Sequence, residues 1–156
     1  MYIAIVSGSV KNDRGVINKP IGRSPKDFRR YSAGRGARGE MREAETFYKV
    51  LKRLTLPLDP SGLKATSPSQ GRKNAGSSVF TVLEVRPKTG RTHQIRVHMK
   101  YLNHPIVGDA LYNPKGLPLP GGGRMMLHAK SIEFRNLKGE TIKIESPLPK
   151  EFKKLI

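Results

Sequence analysis

Gly90-Arg91-Thr92-His93-Gln94-Ile95-Arg96-Val97-His98 closes a strand-like run and opens a helical one. Upstream, Ser78 to Arg86 (SVFTVLEVR) alternates and is rich in β-branched residues, which predicts a strand. Downstream, Ile95, Met99 and Leu102 recur at i, i+4 and i+7 as one apolar stripe. A helix is therefore predicted over Thr92 to Asn103, with Thr92 as its cap and Asn103 and Pro105 as its stop. Such a junction offers backbone N–H groups and a positive helix end to an anion. Arg91 and Arg96 are five residues apart and diverge, so one can face a phosphate while the other faces a buried acid. Composition alone weighs this evenly against a basic first turn that only caps the helix and is solvated.

Outward from the junction, Met1 to Val6 (MYIAIV) reads as a strand and Ser7 to Gly15 as a polar turn. Pro20 to Arg23 leads into a basic stretch to Gly39, with Arg29, Arg30, Arg35 and Arg38, read as an exposed loop. Glu45 to Leu54 fits a strand or a helix, and periodicity alone does not decide. Residues 55 to 77, rich in Pro, Gly and Ser, are expected to be a long flexible loop, and Gly116 to Arg124 another loop. Met126 to Phe134 and Thr141 to Glu145 read as strands joined through Asn136 to Gly139, and Pro149 to Ile156 as a short last helix. Strands, one central helix, then strands define an α+β domain over residues 1–156, with a mostly antiparallel mixed sheet and a few helices.

Charge narrows the partner. Thirty Lys and Arg against twelve Asp and Glu give +18 at pH 7, a field that attracts nucleic acid. A surface kept only for solubility rarely needs such imbalance. Absence of cysteine excludes disulfides and thiolate metal sites. His93 and His98 point to different helix faces with no acid at ligand spacing, so no metal is expected. Gly34-Arg35-Gly36-Ala37-Arg38-Gly39 spells G-x-G-x-x-G, but basic residues precede it where a dinucleotide fold needs an apolar strand. No apolar run approaches 18 residues, so no membrane is expected and the cytoplasm is the expected location. The sequence does not fix an oligomeric state.

Gly90 to His98, followed by Asn103-His104-Pro105-Ile106-Val107-Gly108-Asp109-Ala110-Leu111-Tyr112, resembles the signature of the RluA family of pseudouridine synthases. Tyr2 to Gly8, Pro20 to Arg23, Tyr48 to Leu51, Leu127 to Ala129 and Pro147 to Pro149 are similar to that family's other blocks, in order. The resemblance implies cofactor-free and metal-free isomerisation of uridine to pseudouridine in structured RNA, large-subunit ribosomal RNA first and transfer RNA second. The base leaves its stack to enter a pocket, as base-modifying enzymes require. An aspartate acts on the ribose–base linkage, and the base rotates and rejoins through carbon. By the same resemblance Tyr2 packs on the base and helps remove the C5 proton, and Arg96 holds the aspartate ionised. Ile95 is implied against the uracil face, with Arg91, His93, Gln94, Leu127 and His128 as further substrate contacts. A strand tyrosine and a core isoleucine are the plain structural readings of Tyr2 and Ile95.

The family's aspartate sits in an H-R-L-D-x-x-T-S-G block ahead of the tyrosine strand, and these 156 residues hold no such block. Asp109 lies in a turn that looks structural, and Asp13, Asp27 and Asp59 lack the flanking pattern. The chain is therefore expected to be the C-terminal major part of a catalytic domain, incomplete at its N-terminus and inactive alone. Its sheet is expected to have an open edge at Tyr2. The rival reading is a non-catalytic basic RNA-binding module.

Overall fold

The computed structural model of the chain describes residues 1–57, 77–116 and 123–156. Its centre is an antiparallel five-stranded sheet in the order β2-β6-β7-β1-β8. The strands are β1 (Tyr2–Ser7), β2 (Arg14–Asn18), β6 (Glu45–Pro57), β7 (Ser77–Pro87) and β8 (Leu127–Ala129). Ala4, Ile5 and Val6 have no solvent exposure, so β1 is apolar on both faces and needs cover on both. It gets strand neighbours on both sides, β7 and β8. The open edge expected at Tyr2 is thus not found, and β2 and β8 are the outer strands of this sheet.

The ambiguous segment resolves as strand β6. Tyr48 and Val50 pack on the core, while Phe47 and Leu51 face outward. A bulge between Val50 and Lys52 shifts the phase by one residue. Leu54 and Leu56 thereby move to the opposite face, with Leu54 paired to Phe80, and still join the core. The loop expected over 55–77 gives its first residues to β6 and its last to β7, and its remainder, 58–76, lies outside the described residues. Most of the loop expected from Gly116 to Arg124 also lies outside them.

Helix α1 (Gln94–Tyr101) is shorter than predicted. His93, not Thr92, caps it, because His93 sits in the left-handed region at φ 55° and cannot belong to the helix. The far end matches the expected stop. Asn103 takes φ 61°, its N–H bonds Lys100 O, and His104 N–H bonds Met99 O, the paired bonds of a Schellman motif. The apolar stripe is also as read: Ile95 and Met99 are buried and Leu102 packs on the same cluster.

The basic stretch read as an exposed loop contains a second, three-stranded sheet, β4-β3-β5. It consists of β3 (Ile21–Arg23), β4 (Tyr31–Ala33) and β5 (Arg38–Arg42). Only Ile21 and Ala33 supply its buried apolar anchors, packed with Val97 of α1 and Tyr112, so surrounding arginines hid the pattern. The strand expected over Met126 to Phe134 breaks at Lys130, where Lys130 N–H and Ser131 N–H both bond Met1 O. β9 (Ser131–Arg135) then pairs with β10 (Thr141–Glu145) as the expected hairpin. Asn136 shapes its turn by accepting from Lys138 N–H and Glu140 N–H. The last helix, α2 (Lys150–Lys153), buries Phe152 completely.

The hairpin register sets Ile132 opposite Ile144 and Phe134 opposite Ile142, so four apolar side chains share one face. Ile132, Phe134 and Ile144 remain exposed there. Among the described residues, this hairpin face is thus one of the uncovered apolar surfaces. Replacing Ile132 and Ile144 by Thr is expected to lower binding of a hydrophobic dye and raise solubility. The unfolding free energy should stay within about 0.5 kcal/mol per site. Dye binding unchanged by the substitutions would show that this face does not take up the dye.

Candidate active site

The junction is fixed by a chain of neutral hydrogen bonds. Thr89 Oγ1 accepts from Glu45 N–H at 3.2 Å and donates to Gln94 Oε1 at 2.7 Å. That oxygen also accepts from Arg91 N–H at 2.9 Å. Gln94 Nε2 donates to Glu45 O and to Thr46 Oγ1, each at 3.0 Å. Thr46 Oγ1 lies 2.8 Å from His98 Nδ1, and His98 Nε2 lies 3.0 Å from Lys19 O. A carbonyl only accepts, so Nε2 carries the proton and Nδ1 accepts from Thr46. Burial pushes the His98 imidazole below the usual histidine range, and the bond to Lys19 O only partly offsets this. Gln94, expected to contact substrate, is buried and its amide makes its hydrogen bonds inside the protein, so its side chain builds the junction.

Arg96 meets an acid within the chain. Its Nε donates to Asp109 Oδ2 at 2.7 Å and its Nη2 to Oδ1 at 2.8 Å, a planar two-point grip. Asp109 Oδ1 also accepts from Leu111 N–H and Tyr112 N–H, both at 3.0 Å. Burial pushes the Asp109 carboxyl up, but the guanidinium and the two N–H groups outweigh it and hold the carboxyl below its ordinary range. The same hydrogen bonds raise Arg96, and its guanidinium carbon lies 4.8 Å from the Tyr112 ring centre. Gly108 takes φ 73°, and a Cβ there would collide with Arg124 O, so the turn that aims Asp109 needs glycine.

Tyr112 connects this pair to His93. Its hydroxyl accepts from Tyr31 N–H at 3.0 Å and lies within hydrogen-bond distance of His93 Nδ1, also at 3.0 Å. Burial lowers the His93 pKa and the Arg96 charge lowers it further, consistent with a neutral ring. His93 stands edge-on to Tyr31 and Tyr112. Its position at the helix start is therefore a scaffold position first.

Cross-strand partners share a face. Tyr2 opposes Val85, which opposes Tyr48, and Leu127 opposes Ala4 two residues from Tyr2. Tyr2, Leu127 and Thr46 thus lie on one face of the large sheet, and Thr46 bonds α1, so α1 covers that face. Ile95 belongs to the same apolar cluster on which Tyr2 packs. His128 opposes Ile3 on the other face, its ring 6.0 Å from Phe152, with Nε2 buried and unpaired among the described residues. His128, expected as a substrate contact, is thus set on the sheet face opposite Tyr2. Arg91 is exposed and diverges from Arg96 as expected, its Nε donating to Glu43 O at 3.0 Å. No hydrogen bond links Tyr2 to Arg96 among the described residues. Sequence reading missed Asp109 as the partner of Arg96, and Thr46, Tyr31 and Tyr112 as junction residues, because these contacts are not local.

With this arrangement in view, the chain matches the RNA pseudouridylate synthase family over residues 1–101. It is 34% identical to an RNA pseudouridine synthase of Bacillus subtilis, YlyB, over 99% of this chain and 42% of that protein. It is also 34% identical to ribosomal large subunit pseudouridine synthase D of Xanthomonas campestris, over 99% and 42% respectively. The solved structure of human RNA pseudouridylate synthase domain containing 1 superposes with a TM-score of 0.71 at 30% identity, over 95% of this chain and 54% of that one. The chain belongs to the RNA pseudouridine synthase family. It spans about 42% of the length of these curated relatives.

Two outcomes follow from the buried groups. Asp109→Ala leaves the Arg96 charge without its partner and should cost about 3–5 kcal/mol in urea unfolding; a cost below about 1 kcal/mol would place the pair in solvent. The second concerns pH. The unfolded chain takes up a proton at His98 near pH 6.5 that the folded chain refuses, so stability present above about pH 6.5 is lost as pH falls below it. His98→Gln should flatten part of that decline, and a parent curve that rises on acidification would contradict the assignment.

Proposed function

We propose that the protein isomerises uridine to pseudouridine in structured RNA in the cytoplasm, with large-subunit ribosomal RNA as substrate and no cofactor or metal. The observation that carries this reading is Arg96, set beside Ile95 and held on one edge by Asp109 in a chain of this family. A guanidinium has five N–H donors. Asp109 engages Nε–H and one Nη2 hydrogen, which leaves Nη1 and the other Nη2 hydrogen as a second two-point edge. In this reading that edge receives the family's reactive aspartate. A carboxylate in a pocket shaped for an uncharged base tends to gain a proton unless a cation keeps it charged. Tyr2 packs on the base and takes part in removing the C5 proton, with Ile95 against the ring and Leu127 beside it.

The name of the Xanthomonas relative favours ribosomal RNA over transfer RNA, and the +18 charge suits either. The second reading is a non-catalytic basic RNA-binding module, which the +18 charge also suits. The test uses protein that includes the H-R-L-D block and RNA tritiated at uridine C5. Arg96→Ala should abolish tritium release, and Arg96→Lys, a point charge in place of a planar grip, should slow it roughly 10²-fold. RNA affinity should change little in either variant. Loss of affinity with parent-rate turnover of bound RNA would make Arg96 a phosphate contact instead. No release from the parent protein would favour the binding module.

A further inference from the structure

A cleft lies between the small sheet and the turn that precedes α1. Its volume is about 410 Å³, and Arg23, Tyr31, Arg42, Arg91 and Thr92 line it. Glu40 is the one acid in that lining. The three arginines come from β3, β5 and the junction, so folding alone brings them together. Each is held by part of its guanidinium. Arg23 Nη1 donates to Phe28 O at 3.1 Å, and its guanidinium carbon stands 5.0 Å from the Tyr31 ring centre. Arg91 Nε donates to Glu43 O at 3.0 Å. Arg42 meets Glu40 through long bonds of 3.3 and 3.4 Å. Carbonyl partners orient Arg23 and Arg91 without neutralising them, so among the described residues two charges stay uncompensated at one opening. Restraint before binding lowers the ordering cost of gripping an anion.

We propose that this cleft is a phosphodiester subsite for the RNA strand, with Arg23 and Arg91 as its principal anion-holding side chains and Arg42 as the third. The proposal rests on the reading of the protein as an RNA-acting enzyme. Planar guanidinium forks match phosphate oxygens in pairs. The Thr92 hydroxyl adds a donor, and the cavity exceeds one phosphate group, leaving room for the attached ribose beside Tyr31. Arg91 and Thr92 immediately precede the helix that carries Arg96. A phosphate held here therefore fixes the strand close to the uridine that Arg96 serves. Arg23 and Arg91 are surface residues whose loss leaves the apolar clusters intact.

The experiment measures affinity for a short uridine-containing hairpin RNA between about 50 and 200 mM salt. It compares the whole protein with an Arg23→Gln/Arg91→Gln variant. An Arg135→Gln/Lys138→Gln variant, on the β9–β10 hairpin, removes the same charge elsewhere. Losing two phosphate contacts should reduce the log–log salt slope by about 1.4–1.8, and Arg23→Lys alone should largely keep it. The control pair should leave the slope near the parent value, with thermal midpoints alike in all proteins. Equal slope changes in both double variants would mean net charge only and overturn the subsite. A parent that binds the RNA steeply while Arg23→Gln/Arg91→Gln keeps its slope overturns the subsite and leaves the RNA reading intact. A parent that does not bind the RNA overturns the RNA reading itself. Repeating the titration with inorganic phosphate at constant ionic strength separates the sources. Phosphate should narrow the difference between parent and variant; if the two differ in their response to phosphate but not in their RNA salt slope, the cleft takes the free anion and the RNA assignment falls.

Discussion

A carboxylate removed from water stays charged only where a cation and N–H donors replace its hydration. Asp109, with a side chain that has no solvent exposure, meets that demand with Arg96 and the backbone of Leu111 and Tyr112. The pair ties the 105–113 turn to α1. The turn in turn hangs on β1, through Val107 N–H to Ile5 O and Ser7 N–H to Pro105 O. One ion pair therefore links the strand of Tyr2, the helix of Ile95 and Arg96, and the tyrosine that anchors β4. A side chain that is to meet a substrate-side charge must itself be held still, and here the holding group is an acid already inside the fold.

The neutral network from Thr89 to Lys19 does a different job. It has no ionic member, yet its order of donors and acceptors permits one tautomer of His98 and one amide orientation of Gln94. It joins the start of α1 to β6 and the end of β7. Buried polar chains of this kind are costly when half satisfied and specific when complete. The result is a junction whose outer surface, with Arg91 and Thr92, is free to face solvent while its inner surface is locked.

Much of the architecture was readable in the sequence because it is written in local patterns. The apolar run from Met1 to Val6 forms β1, the β-branched run from Ser78 to Arg86 forms β7 although Phe80 to Leu83 are buried on both faces, and the stripe of α1 and the Asn136–Gly139 turn appear as predicted. The small sheet was not readable, since Ile21 and Ala33 are isolated among arginines and glycines and gain their meaning only against Val97 and Tyr112. The strand form of β6 was undecided because a bulge breaks its alternation. In the site, the divergence of Arg91 and Arg96 was legible from spacing. The inward bonds of Gln94, the placement of His128 on the sheet face opposite Tyr2 and the partner of Arg96 were not. Each depends on residues 13 to 49 positions away, or on the parity of a strand register.

The central claim is that Arg96 is already fixed by Asp109 before RNA arrives. Hydrogen exchange of the Arg96 Nε–H, followed by nitrogen-15 NMR on the RNA-free protein, tests it most directly. A buried bond of 2.7 Å to a carboxylate predicts a resolved resonance that exchanges far more slowly than those of exposed arginines such as Arg38. An Arg96 Nε–H that exchanges as fast as theirs would contradict the account.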